Sequence, residues 1–142
     1  MLHLFISYKS EDVQYVRDIQ SIAKNSNNKI NFIDESLPGP IKNEYGHIIT
    51  KSPYHKAASE VRNKIHQLLE RSNRLLVIIG ENTHSSEWVE WEIDTFLNIH
   101  GNNKYLLLLR HRNCCTAGMP KYIMEEKIYD WDQSTLSQWL SS

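Results

Sequence analysis

Cysteine is nearly absent from this 142-residue chain, and the two it has, Cys114 and Cys115, are adjacent. Adjacent cysteines give neither a disulfide framework nor a zinc-finger spacing, and a reducing, cytoplasmic location is the expectation. The seven histidines are scattered without an i, i+4 pair, so no metal site is expected. Long apolar runs are missing too. The longest, Leu75 to Gly80 and Tyr105 to Leu109, are far too short to span a bilayer. Met1 to Ser7 has neither the charged start nor the long apolar stretch of a signal peptide. The formal net charge is −1, so no overall basic field gathers nucleic acid or anionic membrane. Arg110, His111 and Arg112 form a basic cluster too short for a phosphate track. No G-x-G-x-x-G, G-x-x-x-x-G-K-[ST] or G-x-S-x-G occurs, which removes the usual phosphate cradles and the usual hydrolase nucleophile. Neither a nucleic-acid partner, a membrane partner nor a resident cofactor is expected.

What is present is one domain's worth of alternating pattern over residues 1–142. Hydrophobic residues make up 40% of the chain, enough for one core. Leu4 to Tyr8 reads as a strand. Ser10-Glu11-Asp12 reads as a helix start, where free amides and the helix dipole favour oxygen and negative charge. Val13, Val16, Ile19 and Ile22 continue it as an apolar stripe. Lys29 to Asp34 is a second strand. A polar stretch from Glu35 to about Lys56 follows, longer than ordinary connections. Ala57 to Arg71 is helical, with Val61, Ile65, Leu68 and Leu69 on one face. Arg74 to Gly80 is almost continuously apolar, as suits a parallel strand buried on both faces. Ser85 or Ser86 caps a helix carrying Val89, Ile93, Phe96 and Leu97. Lys104 to Leu109 and Lys127 to Trp131 are further strands, and Ser134 to Leu140 a last helix.

Strand–helix alternation implies an α/β fold: a five-stranded parallel sheet of flavodoxin-like order 2-1-3-4-5, with helices on both faces. Ligands of such sheets gather at the carboxyl ends of the strands, where the order reverses between strands 1 and 3. Topology brings Ser7, Tyr8 and Lys9, then Asp34, Glu35 and Ser36, then Gly80, Thr83, Trp88 and Glu92 to that place. Glu92 lies about 85° around its helix from the centre of the apolar stripe, at the edge of the buried face. Position alone leaves two readings for it. One is a solvated boundary acid beside a surface lysine; the other is a partly desolvated acid facing a crevice next to Trp88. Trp88, Trp91 and Phe5 read equally well as packing residues, and Asp34, Ser36 and Thr83 as turn or helix-entry residues.

Phe5-Ile6-Ser7-Tyr8 before a polar helix start resembles the opening of TIR domains. Asn73 to Gly80, then Thr83, then Ser86-Glu87-Trp88-Val89-Glu90-Trp91-Glu92-Ile93 is similar to the third strand and following helix of the TIR-like family that includes the Thoeris antiphage sensor proteins. Ile128 to Trp131 and Trp139 resemble the end of those proteins. The loop after strand 2 departs from the pattern, since it lacks the usual arginine before the acid.

The resemblance implies NAD as substrate, cleaved between nicotinamide and ribose. It makes Glu92 the catalytic glutamate and has Phe5, Ser7, Tyr8, Asp34, Ser36, Thr83 and Trp88 line the dinucleotide pocket. It further implies a cyclic ADP-ribose isomer as signal to a separate effector, a phage-derived trigger protein and self-association on activation. One acid suffices for such chemistry. Nicotinamide in NAD is already a cationic pyridinium, so its departure as the neutral base needs no proton, unlike an ordinary glycoside leaving group. A carboxylate then has only to stabilise the ribose oxocarbenium. The alternative from the same family is a TIR-like interaction adapter without catalysis. A receiver-like reading is disfavoured by the absence of an acidic cluster directly after strand 1.

Overall fold

In a computed structural model, residues 2–8, 12–24, 32–34, 52–54, 56–80, 87–101, 103–110, 128–130 and 132–141 are described. The chain runs β1 (His3–Ser7), α1 (Val13–Lys24), β2 (Ile33–Asp34), α2 (Ser59–Arg71), β3 (Arg74–Ile79), α3 (Glu87–His100), β4 (Leu106–Arg110), β5 (Ile128–Asp130) and α4 (Gln133–Ser141). Every strand pairing is parallel, and the strands lie in the order β2-β1-β3-β4-β5.

The central strand explains the layering. All six residues of β3 are buried, and alternate side chains serve opposite faces. Leu75, Val77 and Ile79 join Phe5, Leu106 and Leu108 beneath α2 and α3, with Val61, Ile65, Leu69, Val89, Ile93 and Phe96. Leu76 and Ile78 join Leu4, Ile6, Leu107 and Leu109 beneath α1 and α4, with Val16, Ile19 and Leu136. Register between β1 and β3 is pinned at their starts. The His3 amide donates to Asn73 Oδ1 at 2.8 Å, and the Asn73 amide donates to the His3 carbonyl at 2.8 Å. From there Phe5 stands beside Leu75 and Ser7 beside Val77.

Two boundaries differ from the sequence pattern. Lys104 and Tyr105 form a 3-10 turn, and β4 begins only at Leu106. The Tyr105 ring is occupied there by cations, with the Arg74 guanidinium 4.4 Å and the Lys104 ammonium 4.9 Å from its centroid. Lys56 to Ala58 is likewise a 3-10 turn ahead of α2. Arg110 belongs to no basic patch within the described residues, because β4–β5 register sets it beside Asp130, 3.2 Å away. Just past β5, Asp132 caps α4, accepting from the Ser134 amide at 3.1 Å and the Thr135 hydroxyl at 3.2 Å. Gly101 closes α3 at φ 65°, a conformation that favours glycine.

Residues 35–51 and 111–127 lie outside the described residues, and with them the long polar stretch after β2, the cysteines and His111 and Arg112. Among the described residues no helix is long and apolar enough to cross a membrane.

Phe96 is fully buried between α3 and the sheet. Phe96→Ala should destabilise the fold by about 3–5 kcal/mol, the usual cost of deleting a core ring. Urea unfolding would read this as a lower midpoint at unchanged slope.

Candidate functional site

The inner face of α3 carries one residue that does not match its neighbours. Val89, Ile93 and Phe96 are apolar and fully buried, and Glu92 among them is only 7% exposed. Its partner comes from β1. The Ser7 hydroxyl, itself 1% exposed, donates to Glu92 Oε1 at 2.9 Å. Ser7 is the last residue of β1, where the alternation that sends Phe5 toward α2 and α3 sends Ser7 the same way. The pair therefore sits at the carboxyl end of β1, beside β3, where the sheet order reverses.

Of the two readings open for Glu92, the solvated boundary acid is overturned. The acid is buried, and it accepts a hydrogen bond from a serine of β1. Burial pushes its carboxyl from 4.5 up to about 8, and the Ser7 hydroxyl opposes that shift only in part. Burial thus favours the neutral carboxylic acid over the carboxylate.

The other expected residues are distributed unevenly. Trp88, one turn before Glu92, is half-buried against the same core cluster and meets Trp91 edge to face at 5.7 Å. Phe5 is on the Glu92 side of the sheet but 2% exposed within the core. Tyr8 packs on the opposite face, with the α1 and α4 cluster. Asp34 ends β2, its backbone beside Leu4. Ser36 and Thr83, like Lys9, Glu35, Ser85 and Ser86, lie outside the described residues.

A second buried acid was not expected in this place. Asp12, read from sequence as an acid at a helix start, is 4% exposed. Its carboxylate lies against Gly80, just past the end of β3. The available signal was a glycine directly after a fully apolar strand, which marks close approach by another group.

A groove of about 590 Å³ opens elsewhere, between α2 and α3. Arg62 and His66 line one wall and Trp91, Asp94 and Ile99 the other, and Glu92 takes no part in it. Residues 52–54 dock nearby. The Ser52 hydroxyl donates to Glu87, and Arg62 donates to the Pro53 carbonyl. Tyr54 is 66% exposed, and slight burial, then Glu90, Asp94 and Glu87, raise its phenol pKa. The groove lies away from the strand ends and is not where the buried acids are.

The Glu92 shift has a consequence for stability. Below pH 4.5 the carboxyl is protonated whether the chain is folded or not. Between 4.5 and about 8 the unfolded chain ionises while the folded protein holds its proton, so folding stability falls as pH rises through that window. Glu92→Gln is neutral throughout and should lack this slope. Its stability relative to the parent should improve between pH 5 and pH 8 by an amount on the order of a few kcal/mol. Urea titrations at several pH values test this; parallel curves for the two proteins would show that Glu92 ionises normally.

No curated protein matches the sequence. Among solved structures, the chain is similar to the TIR domains in the activated Roq1 resistosome directly recognizing the pathogen effector XopQ, at 15% identity and a TM-score of 0.46. The alignment covers 79% of this chain and 58% of that one, so the chain matches less than two thirds of that protein's length. The sequence model of the Thoeris protein ThsB, TIR-like domain, matches residues 5–113, which include β1, α3 and both members of the Ser7–Glu92 pair. The chain belongs to the Thoeris ThsB TIR-like domain family.

Proposed function

We propose that this protein is an NAD-consuming enzyme of antiphage defence that breaks the bond between nicotinamide and ribose, with Glu92 as its key carboxylate. The observation that carries this reading is a carboxyl buried on the inner face of α3, at the strand switch of a TIR-like domain, and hydrogen-bonded there by Ser7. A buried acid is costly to keep unless a function uses it, and strongly shifted acids concentrate at functional sites.

The chemistry follows from charge. In NAD the ring nitrogen of nicotinamide is cationic. When the bond from C1′ of the ribose to that nitrogen breaks, the bonding pair goes to the ring, which leaves as neutral nicotinamide. Positive charge passes to the ribose as an oxocarbenium-like cation. Ionised Glu92 stabilises that cation, most effectively where water is excluded. Attack by water at C1′ then gives ADP-ribose and a proton. Attack by the adenine of the same molecule gives a cyclic ADP-ribose isomer. We favour the cyclic product, acting as a signal to a separate effector, because the Thoeris family to which the chain belongs is one of defence sensors.

Ser7 has a definite part here. It orients the carboxylate and, by donating to it, favours the ionised form over the neutral one. Trp88 offers an aromatic face that stacks on the pyridinium.

Purified protein incubated with NAD, with and without infected-cell extract as a trigger, should release nicotinamide. Glu92→Ala should lower that rate by on the order of 10²–10³, as for loss of one transition-state stabiliser. Undiminished release by the variant would remove Glu92 from the chemistry. An inert parent under every trigger would favour an interaction adapter. The mass of the second product distinguishes ring closure from hydrolysis.

A further inference from the structure

Asp12 has no role in the chemistry above, yet it is one of two acids buried among the described residues. Its position is set by two chain ends that leave the sheet together. Ser7 and Val77 are register partners at the ends of β1 and β3. Five residues past Ser7 the chain reaches Asp12 and enters α1 on one face. Three residues past Val77 it reaches Gly80, on the way to α3 on the other face.

The two meet closely. A Cβ at Gly80 would stand 2.5 Å from Asp12 Oδ1 and 2.7 Å from its Cγ, and nearer still to Oδ2. No side chain fits there while Asp12 stays. The acid is short and buried, so it has little room to swing aside, and the amides at the start of α1 favour its negative charge where it is.

We infer that Asp12 is a positioning residue of the Glu92 site: its carboxylate, seated over Gly80, ties the β1–α1 turn to the end of β3 and fixes the spacing of the two strand ends that flank the Ser7–Glu92 pair. The inference rests on the NAD reading only in treating those strand ends as the entrance for substrate. Asp12 acts through shape and never touches the reacting atoms. It governs how well substrate is seated, and therefore KM more than the ionisation of Glu92.

The test uses the full chain with Asp12→Ala, Asp12→Asn, Gly80→Ala and the double variant Asp12→Ala/Gly80→Ala. Hydrogen exchange comes first, since it needs no turnover. Gly80→Ala should speed exchange in peptides containing Asp12, and Asp12→Ala in peptides containing Gly80. In NAD turnover each single alanine variant should raise KM, by up to on the order of 10²-fold if the entrance shifts by about an ångström. The inflection in the pH profile of kcat should stay where the parent has it. Asp12→Asn keeps the shape and should stay near the parent. In the double variant the new methyl group occupies space the carboxylate vacated, so the two effects should be far from additive. Exchange changes confined to each variant's own turn, strict additivity, or a loss in Asp12→Asn as large as in Asp12→Ala would each overturn the inference. A parent that releases no nicotinamide would sink the NAD reading instead, and the exchange data would still decide the role of Asp12.

Discussion

The burial of β3 on both faces is the constraint from which the rest of the architecture follows. A strand of Leu, Leu, Val, Ile and Ile has no polar side to show to water, so helices must cover it above and below. Its alternate side chains divide the interior into two clusters, one under α2 and α3 and one under α1 and α4. Parallel neighbours on each side complete its hydrogen bonding. The carboxyl end of β3 is then the natural place for a site, because the helices that cover its two faces start there and diverge.

At that end the apolar logic is broken twice, by Glu92 and by Asp12. The two acids occupy opposite sides of the same strand end, Glu92 from α3 and Asp12 from the start of α1. They differ in circumstance. Asp12 precedes a helix whose first amides favour negative charge. Glu92 sits one turn inside its helix, among Val89, Ile93 and Phe96, and accepts a hydrogen bond from the neutral Ser7 hydroxyl. Desolvation therefore dominates for Glu92 and raises its pKa to about 8. The groove of about 590 Å³ between α2 and α3 is lined by neither of the buried acids.

The class of fold was legible because it depends on short-range pattern. The run from Arg74 to Gly80 and the stripes at Val13, Val16 and Ile19 or at Val89, Ile93 and Phe96 are visible within a dozen residues, and an α/β parallel sheet is what they require. Errors arose where a residue's state is set by something far away in sequence. For Glu92, helical geometry about 85° off the stripe left both a solvated and a buried reading open; the Ser7 hydroxyl that meets it in the interior comes from 85 positions away. Tyr105 has high strand propensity, but its ring is used by Arg74 from the start of β3, and the chain turns there instead of extending. Asp12 fitted the helix-start pattern so well that nothing prompted the question of what lies above Gly80. Local rules describe these residues correctly and still miss their function, since the deciding neighbour comes from another element.

A raised pKa on the one carboxylate that the proposed chemistry needs looks at first like a flaw, because a neutral acid cannot stabilise a cation. The substrate's own charge resolves it. An opposite charge within about 4–6 Å lowers a carboxyl pKa by roughly 1–3 units, which cancels much of the elevation that burial gives Glu92. In the proposed reaction a pyridinium entering beside Glu92 would favour loss of its proton, so that the occupied site favours the carboxylate more than the empty one. The same low dielectric that disfavours the charge in the empty site strengthens the attraction once both charges are present. As the bond breaks, positive charge moves from the pyridinium to the ribose, so a carboxylate close to the ribose gains interaction in the transition state relative to bound substrate. That difference, not the binding itself, is what accelerates a reaction. Ser7 is suited to this cycle because a hydroxyl can stay bonded to the group in either protonation state, donating to the carboxylate and accepting from the acid. A lysine in its place would hold Glu92 permanently ionised and already neutralised, and would leave little for the departing nicotinamide to gain.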